Sequence, residues 1–208
     1  IVVPNQPPYQ PSVANYTDNW IMLISSSKVF SYAGQRMAVM VISDKLYHRS
    51  YPDLAERFGA DQLGYAIVYR LLYSLSSGAS HSGQYALAAM FKAASDGKFD
   101  FIEPVKEYGE RAKIMKKLFT KYGFEIIYDK DLDEDLADGF YFTIEYPGMN
   151  GGDLINNLLY YGISAISSKG AGSDRKNGLR ACVSQIKRSQ FEDLENRLKQ
   201  FSEDFKTA

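Results

Sequence analysis

Four polar side chains within one stretch of twelve residues carry the chemistry that this sequence offers. Ser25, Ser27, Lys28 and Arg36 lie in Ser25-Ser26-Ser27-Lys28-Val29-Phe30-Ser31-Tyr32-Ala33-Gly34-Gln35-Arg36. Taken alone, Lys28 is an ordinary surface lysine. Its setting alters that expectation, because the apolar run Ile21-Met22-Leu23-Ile24 precedes it and Met37-Ala38-Val39-Met40-Val41-Ile42 follows. A lysine wedged between two buried strands is partly desolvated, which lowers its pKa and frees a nucleophilic amine able to form a Schiff base with an aldehyde. Arg36, eight residues after Lys28 at the start of the second run, can return to the same sheet edge and grip a phosphate with two parallel hydrogen bonds. Ser25 and Ser27 add hydroxyl donors beside it. The expected ligand therefore carries both an aldehyde and a phosphate.

Other polar groups suggest no second chemistry. His48, His81 and the lone Cys182 are too few and too scattered for a catalytic dyad or a metal cluster. The acidic stretch Asp129, Asp131, Asp133, Glu134, Asp135, Asp138 invites a calcium reading, but the register of an EF-hand loop fails. A loop starting at Asp129 would need glycine where Glu134 stands and a bidentate glutamate where Phe140 stands. It reads as a solvated loop. Gly170-Ala171-Gly172-Ser173-Asp174-Arg175 lacks the third glycine of a dinucleotide fingerprint, and no Walker pattern occurs. No metal site is expected.

Composition limits the classes of function. The 208 residues include 24 Lys+Arg and 25 Asp+Glu, a net charge of −1, which argues against a nucleic-acid binder with its usual basic excess. At this length folding removes roughly 70% of the unfolded chain's surface from water, so a real core is available without disulfides or a structural metal. A single cysteine excludes an intramolecular disulfide and points to a reducing, cytoplasmic setting. No apolar run reaches the roughly 18 to 20 residues of a membrane helix, and no signal-peptide layout opens the chain. The chain starts at Ile1 without a methionine, as a piece of a longer or processed polypeptide would.

The elements that must position the four residues follow from patterning. Prolines 4, 7, 8 and 11 make the first twenty residues an irregular connecting segment. The two apolar runs lack polar alternation, as strands of a mainly parallel α/β sheet covered by helices on both faces do. Helices are expected over 61–77, 81–96 and 101–122, with Gly78, Gly97 and Gly123 as stops. In the third, Ile114, Met115, Leu118, Phe119 and Tyr122 form one face and Lys113, Lys116, Lys117 and Lys121 the other. Strands are expected over 124–128 and 140–146, a short helix over 151–161, short strands over 163–167 and 179–184, and a mobile turn between Gly170 and Gly178. Ser189-Gln190-Phe191-Glu192 fits a capping box, and Phe191, Leu194, Leu198, Phe201 and Phe205 then make one apolar stripe. A boundary near Gly97 divides the chain into 1–97, an α/β remnant, and 98–208, an α+β domain.

A phosphorylated aldehyde held by lysine, serines and arginine describes pyridoxal phosphate, and here a family resemblance enters. The segment from Ser25 to Arg36 resembles the Schiff-base segment of class I/II (fold type I) aminotransferases: a serine two residues before Ser-Lys, an aromatic two after, and an arginine eight after. A second match follows. Tyr161-Gly162-Ile163-Ser164-Ala165-Ile166 and Asn177-Gly178-Leu179-Arg180-Ala181-Cys182-Val183-Ser184 are similar to two family strands, the arginine of the second holding the substrate α-carboxylate. The resemblance implies that Lys28 is the Schiff-base lysine, that Ser25, Ser27 and Arg36 bind the cofactor phosphate, and that Arg180 binds substrate.

It also implies the fold and the reaction. The chain would be the end of the fold type I large domain followed by the small C-terminal domain, a mainly parallel α/β portion and then an α+β one. The activity would be transfer of an amino group between an amino acid and a 2-oxo acid, by a homodimer when full length. One departure matters: the family's aspartate for the pyridinium nitrogen, its tyrosine near the ring oxygen and its glycine-rich phosphate loop would all fall before Ile1. The chain therefore reads as a C-terminal fragment. Two alternatives stay open. The same scaffold supports lyases, decarboxylases and synthases, and the fragment alone, lacking half the pocket, could be catalytically silent.

Overall fold

The computed structural model describes residues 12–131, 133–135 and 139–205. Their contacts divide into two compact units, the first ending at Phe101 and the second beginning at Ile102.

The first unit is built around a hairpin. Strand β1 (Ile21–Ser25) runs into the short helix α1 (Ser26–Val29), and strand β2 (Ala38–Ile42) returns beside β1 in register Ile21↔Ile42 to Ser25↔Ala38. The pairing is antiparallel, which corrects the expectation of a parallel arrangement for these two runs. A parallel neighbour needs a crossover, usually through a helix packed on the sheet, whereas the short connection here simply reverses direction. The apolar runs are also not covered on both faces: Leu23 is 69% exposed and Met40 47%. Helices α2 (Asp44–Tyr47) and α3 (Pro52–Phe58) follow. Ser43 caps α2 by accepting from the Leu46 N–H at 3.2 Å and donates its own hydroxyl to the Asp18 carbonyl.

The expected helix over 61–77 is present as three consecutive pieces. Helix α4 (Leu63–Ala66) passes through a π-helical turn, Ile67–Leu71, into α5 (Leu72–Ser76). Ser77, at φ +53°, stops it one residue before the expected Gly78. Helix α6 (His81–Ser95) is capped by Ser80 and packs closely at Gly83, where an added Cβ would lie 3.0 Å from the Met37 side chain. Met37, Leu46, Ala66 and Leu87 form the buried centre of this unit.

The second unit opens with α7 (Glu103–Lys121), whose buried face is Ala112, Met115 and Phe119. Gly123, at φ +90°, ends it in the left-handed conformation that glycine accepts without strain. Strand β3 (Glu125–Ile127) follows, then the two-residue ladder of β4 (Lys130–Asp131) with β5 (Glu134–Asp135) in the acidic stretch; Asp138 lies outside the described residues. After β6 (Tyr141–Glu145), helix α8 (Gly151–Tyr160) is capped by Asn150, which accepts from the Gly152 and Asp153 N–H groups at 3.0 Å. The last elements are β7 (Ile166–Ser167), β8 (Leu179–Cys182) and α9 (Phe191–Phe205). The sheet order is β3-β6-β8-β7, antiparallel throughout.

Alternation in β6 behaves as patterning dictates. Phe142 and Ile144 enter the core, and Tyr141, Thr143 and Glu145 take the other face. On the core side α9 presents Leu194, Leu198 and Phe201, all buried, against α7, α8 and the sheet. Phe201 touches four other aromatic rings, those of Phe124, Tyr146, Tyr161 and Phe205, at centroid distances of 4.8 to 5.4 Å. The start of α9 differs from expectation. A 3-10 turn, Arg188–Gln190, precedes it, and the Gln190 side chain accepts from the Lys187 N–H at 2.9 Å. The entry is thus capped from Gln190 rather than by Ser189 with Glu192, because the extra turn moves the open N–H groups two residues back. No helix among the described residues is long and apolar enough to cross a membrane.

Candidate functional site

The segment from Ser25 to Arg36 is held by a residue that sequence reasoning passed over. Ser26 is buried, and its hydroxyl donates to the Met37 carbonyl at 2.7 Å and the Tyr32 carbonyl at 3.2 Å. Its backbone N–H also reaches the Met37 carbonyl, at 3.1 Å, and its carbonyl accepts from Tyr32 N–H at 3.0 Å. One small side chain thereby ties both ends of the connection together. A hydroxyl suits this place because a buried donor must find an acceptor, and two carbonyls converge on it. Three serines in a row look equivalent in sequence; only the folded turn distinguishes the inward one.

Phe30 supplies the second anchor. Its ring lies 5.0 Å from Phe91, 5.6 Å from Phe101 and 6.0 Å from Phe99 by centroid, two of the pairs edge-on. Between the serine tether and this aromatic anchor sits Lys28, in the last turn of α1. Its side chain is exposed. This corrects the expected desolvation: the strands flanking it are themselves half open, so the first unit does not bury the amine.

The expected phosphate ligands take different postures. Ser25 closes β1 and its hydroxyl accepts from the Ser27 N–H at 3.3 Å. Ser27 is half-buried on the first turn of α1. Arg36 stands just before β2 at φ +54°, ψ 43°, a left-handed conformation that costs a non-glycine residue about 1 kcal/mol or more. One guanidinium nitrogen donates to the Ala33 carbonyl at 2.9 Å. The other N–H groups have no protein partner among the described residues, so the planar fork remains open to an anion. The connection therefore presents an amine, two hydroxyls and a guanidinium, the donor set that a phosphorylated aldehyde requires.

Arg180 belongs to the second unit. It lies in β8 opposite Thr143 of β6 and Ile166 of β7, on the sheet face turned away from the helices. It is half-buried, and its guanidinium carbon sits 4.2 Å from the centroid of the Tyr141 ring. It makes no ion pair among the described residues. Among the described residues its guanidinium meets an aromatic face and no carboxylate, which leaves its hydrogen-bonding fork able to take an anion. Tyr141 was not singled out from the sequence, where it is one of sixteen tyrosines; its only signal was its outward place in the alternation of β6.

Charged groups that tie α7 to the segments around α9 are structural. Glu107 is gripped by Arg188 at 2.8 Å through both oxygens and by Arg111 at 2.9 Å. These hydrogen bonds, those of Arg188 first, hold its carboxyl down to about 2. Lys121 and Tyr122 both bond Glu195, fastening α7 to α9.

No protein-family model matches the chain, and no curated protein matches it either. The fold does have solved counterparts. An α-aminoadipate aminotransferase from Thermus thermophilus, solved with N-(5'-phosphopyridoxyl)-L-leucine, shares 17% identity at a TM-score of 0.58 over 88% of this chain and 42% of its own. An aspartate aminotransferase from Thermotoga maritima shares 15% at 0.62 over 92% and 43%. An L,L-diaminopimelate aminotransferase from Chlamydomonas reinhardtii shares 21% at 0.62 over 86% and 40%. At such identities the likeness is one of fold: this chain has the mixed fold found in part of each of these enzymes. It spans about two fifths of their length.

Proposed function

We propose that this chain is the C-terminal portion of a pyridoxal-phosphate-dependent aminotransferase, acting on an amino acid and a 2-oxo acid. The observation that carries the reading is the connection from Ser25 to Arg36, where an amine, two hydroxyls and an open guanidinium are held on one tethered turn, in a fold shared with aminotransferases. Bound pyridoxal phosphate supplies an electron sink for charge developing at the substrate α-carbon. Lys28 Nζ would be the amine that meets the aldehyde of the bound cofactor, and the same amine could hold and move the proton at the substrate α-carbon. Ser25, Ser27 and Arg36 would hold the phosphate, and Arg180 would meet the substrate carboxylate.

The first unit is read as the end of a larger cofactor-binding domain, with 1–97 in that domain and 98–208 in the small one. The exposed faces of Leu23 and Met40 are those that further strands and helices of such a domain would cover. A homodimer in a cytoplasmic setting belongs to the same reading. It is supported by the exposed Tyr69, Leu72, Tyr73 and Leu75 along α5 and the π-helical turn, and by the single thiol of Cys182.

Exposure of Lys28 favours a second reading, that this portion alone captures no cofactor. Borohydride reduction with added pyridoxal phosphate, followed by peptide mass mapping, tests both. Label fixed on Lys28 in this chain and lost in Lys28→Ala supports the first. Label on Lys28 only in the full-length polypeptide supports the first for the whole enzyme and the second for this portion. Absence of Lys28 labelling in both would sink the proposal.

A further inference from the structure

The second unit holds a pocket that the reading above does not use, and its origin lies in the sheet. Strand β7 pairs with β8 only through Ile166↔Arg180 and Ser167↔Leu179, so the expected strand over 163–167 is short by three residues. Its first half leaves the sheet. The Val183 N–H donates to the Phe140 carbonyl at 3.0 Å, and by the alternation of an antiparallel ladder Cys182 then directs its own N–H and C=O toward the β7 side. Ser164 is the residue in register there, yet no bond joins them. The Cys182 main chain thus has a donor and an acceptor without a backbone partner among the described residues.

This gap opens into a cavity of about 170 Å³. Met115, Phe119 and Leu194, all buried, form its apolar floor, and Gln190, Asp193 and Arg197 stand at its rim. Asp193 and Arg197 are one helical turn apart on α9 but do not pair. The Arg197 guanidinium donates to the Gly162 and Tyr161 carbonyls at 2.7 and 3.4 Å, and the Asp193 carboxylate has no cation partner among the described residues. The rim therefore carries opposite charges separately.

We propose that this pocket binds a free aliphatic α-amino acid, with its side chain on the Met115, Phe119 and Leu194 floor and its charged end at the rim. The ammonium group meets the Asp193 carboxylate. The carboxylate meets Arg197 and the open N–H of Cys182. Size agrees, since a cavity of about 150 Å³ takes up a benzene-sized molecule, and the open rim accommodates the few atoms more of the charged end. A purely apolar ligand would leave the half-buried Cys182 N–H without the acceptor that the carboxylate supplies. A ligand with one charge would leave the opposite charge at the rim unmatched. The inference is independent of the transaminase reading.

The test is a titration of the isotope-labelled chain with L-leucine, followed by amide chemical shifts. Saturable changes centred on Ser164, Gln190, Asp193 and Leu194 are expected, with 4-methylpentanoate and isopentylamine, each lacking one charge, at least tenfold weaker. Asp193→Asn, at an exposed position that should not disturb folding, should weaken leucine about tenfold, and Ala165→Phe, which puts a bulky ring at a residue lining the cavity, should abolish its binding. Unchanged affinity in Asp193→Asn, equal binding of the singly charged analogues, or no saturable response up to millimolar leucine would overturn the proposal. Shifts centred on Arg180 and Tyr141 would also overturn it while supporting a carboxylate site at Arg180.

Discussion

The Arg180 guanidinium lies over the ring of Tyr141, 4.2 Å from its centroid. Register makes this a diagonal pair: Tyr141 faces Cys182 and Thr143 faces Arg180 across adjacent strands, so a long side chain reaches its neighbour two residues on. The ring supports the cation without occupying its hydrogen-bonding edge. Tyr141→Phe keeps the aromatic face and should leave the second unit's stability within about 0.5 kcal/mol, whereas Tyr141→Leu should lose about 0.5–1 kcal/mol. Urea denaturation of the three proteins measures the difference, and equal loss in both variants would show that the hydroxyl, not the face, matters.

Ser26 and Ser27 should part company under the same substitution. Ser26→Ala strips the buried donor from the Met37 and Tyr32 carbonyls, and a cost of about 1–2 kcal/mol to the first unit is expected. The Ser26 N–H still serves Met37, which keeps the loss below the upper range. Ser27→Ala removes no side-chain hydrogen bond among the described residues, since Ser27 meets Ser25 through its main-chain N–H, and should stay within about 0.5 kcal/mol. Hydrogen exchange of the β1 and β2 amides distinguishes them.

Phe201 and Phe205 offer a contrast in the core of the second unit. Phe201 is wholly buried and touches four rings, while Phe205 is half-buried near the end of α9. Phe201→Ala should cost about 3–5 kcal/mol and Phe205→Ala clearly less. Comparable midpoints in chemical denaturation would contradict this account of the packing.

Acid should act partly through Glu107. Its ordinary value of 4.5 is held down to about 2 in the fold by Arg188 and Arg111. A depressed carboxylate contributes stability that is present above the unfolded value and is lost as pH falls through the folded one. The contribution should therefore fade between pH 4.5 and about 2. Glu107→Gln should be less stable at neutral pH and show a shallower acid limb across that window, read from thermal midpoints at successive pH values.

Much of the second unit was legible in the residues themselves. The stripe of Phe191, Leu194, Leu198, Phe201 and Phe205 announced α9, and the alternation of Phe142 and Ile144 with Tyr141 and Thr143 announced β6, because periodicity records which side chains avoid water. The connection from Ser25 to Arg36 was likewise visible as a set of chemical types at short range. Periodicity cannot name a partner, however. Whether β1 and β2 pair in parallel or antiparallel, which of three serines turns inward, and whether Lys28 is covered all depend on contacts between residues far apart in the chain. So do the ring beneath Arg180 and the parting of β7 from β8. The sequence by itself determined the amphipathic elements and the donor set at Ser25, Ser27, Lys28 and Arg36. Tertiary structure alone decided the exposure of Lys28, the tether at Ser26, the Tyr141 face and the open edge at Cys182, because burial and hydrogen-bond partners are assigned only when distant segments meet.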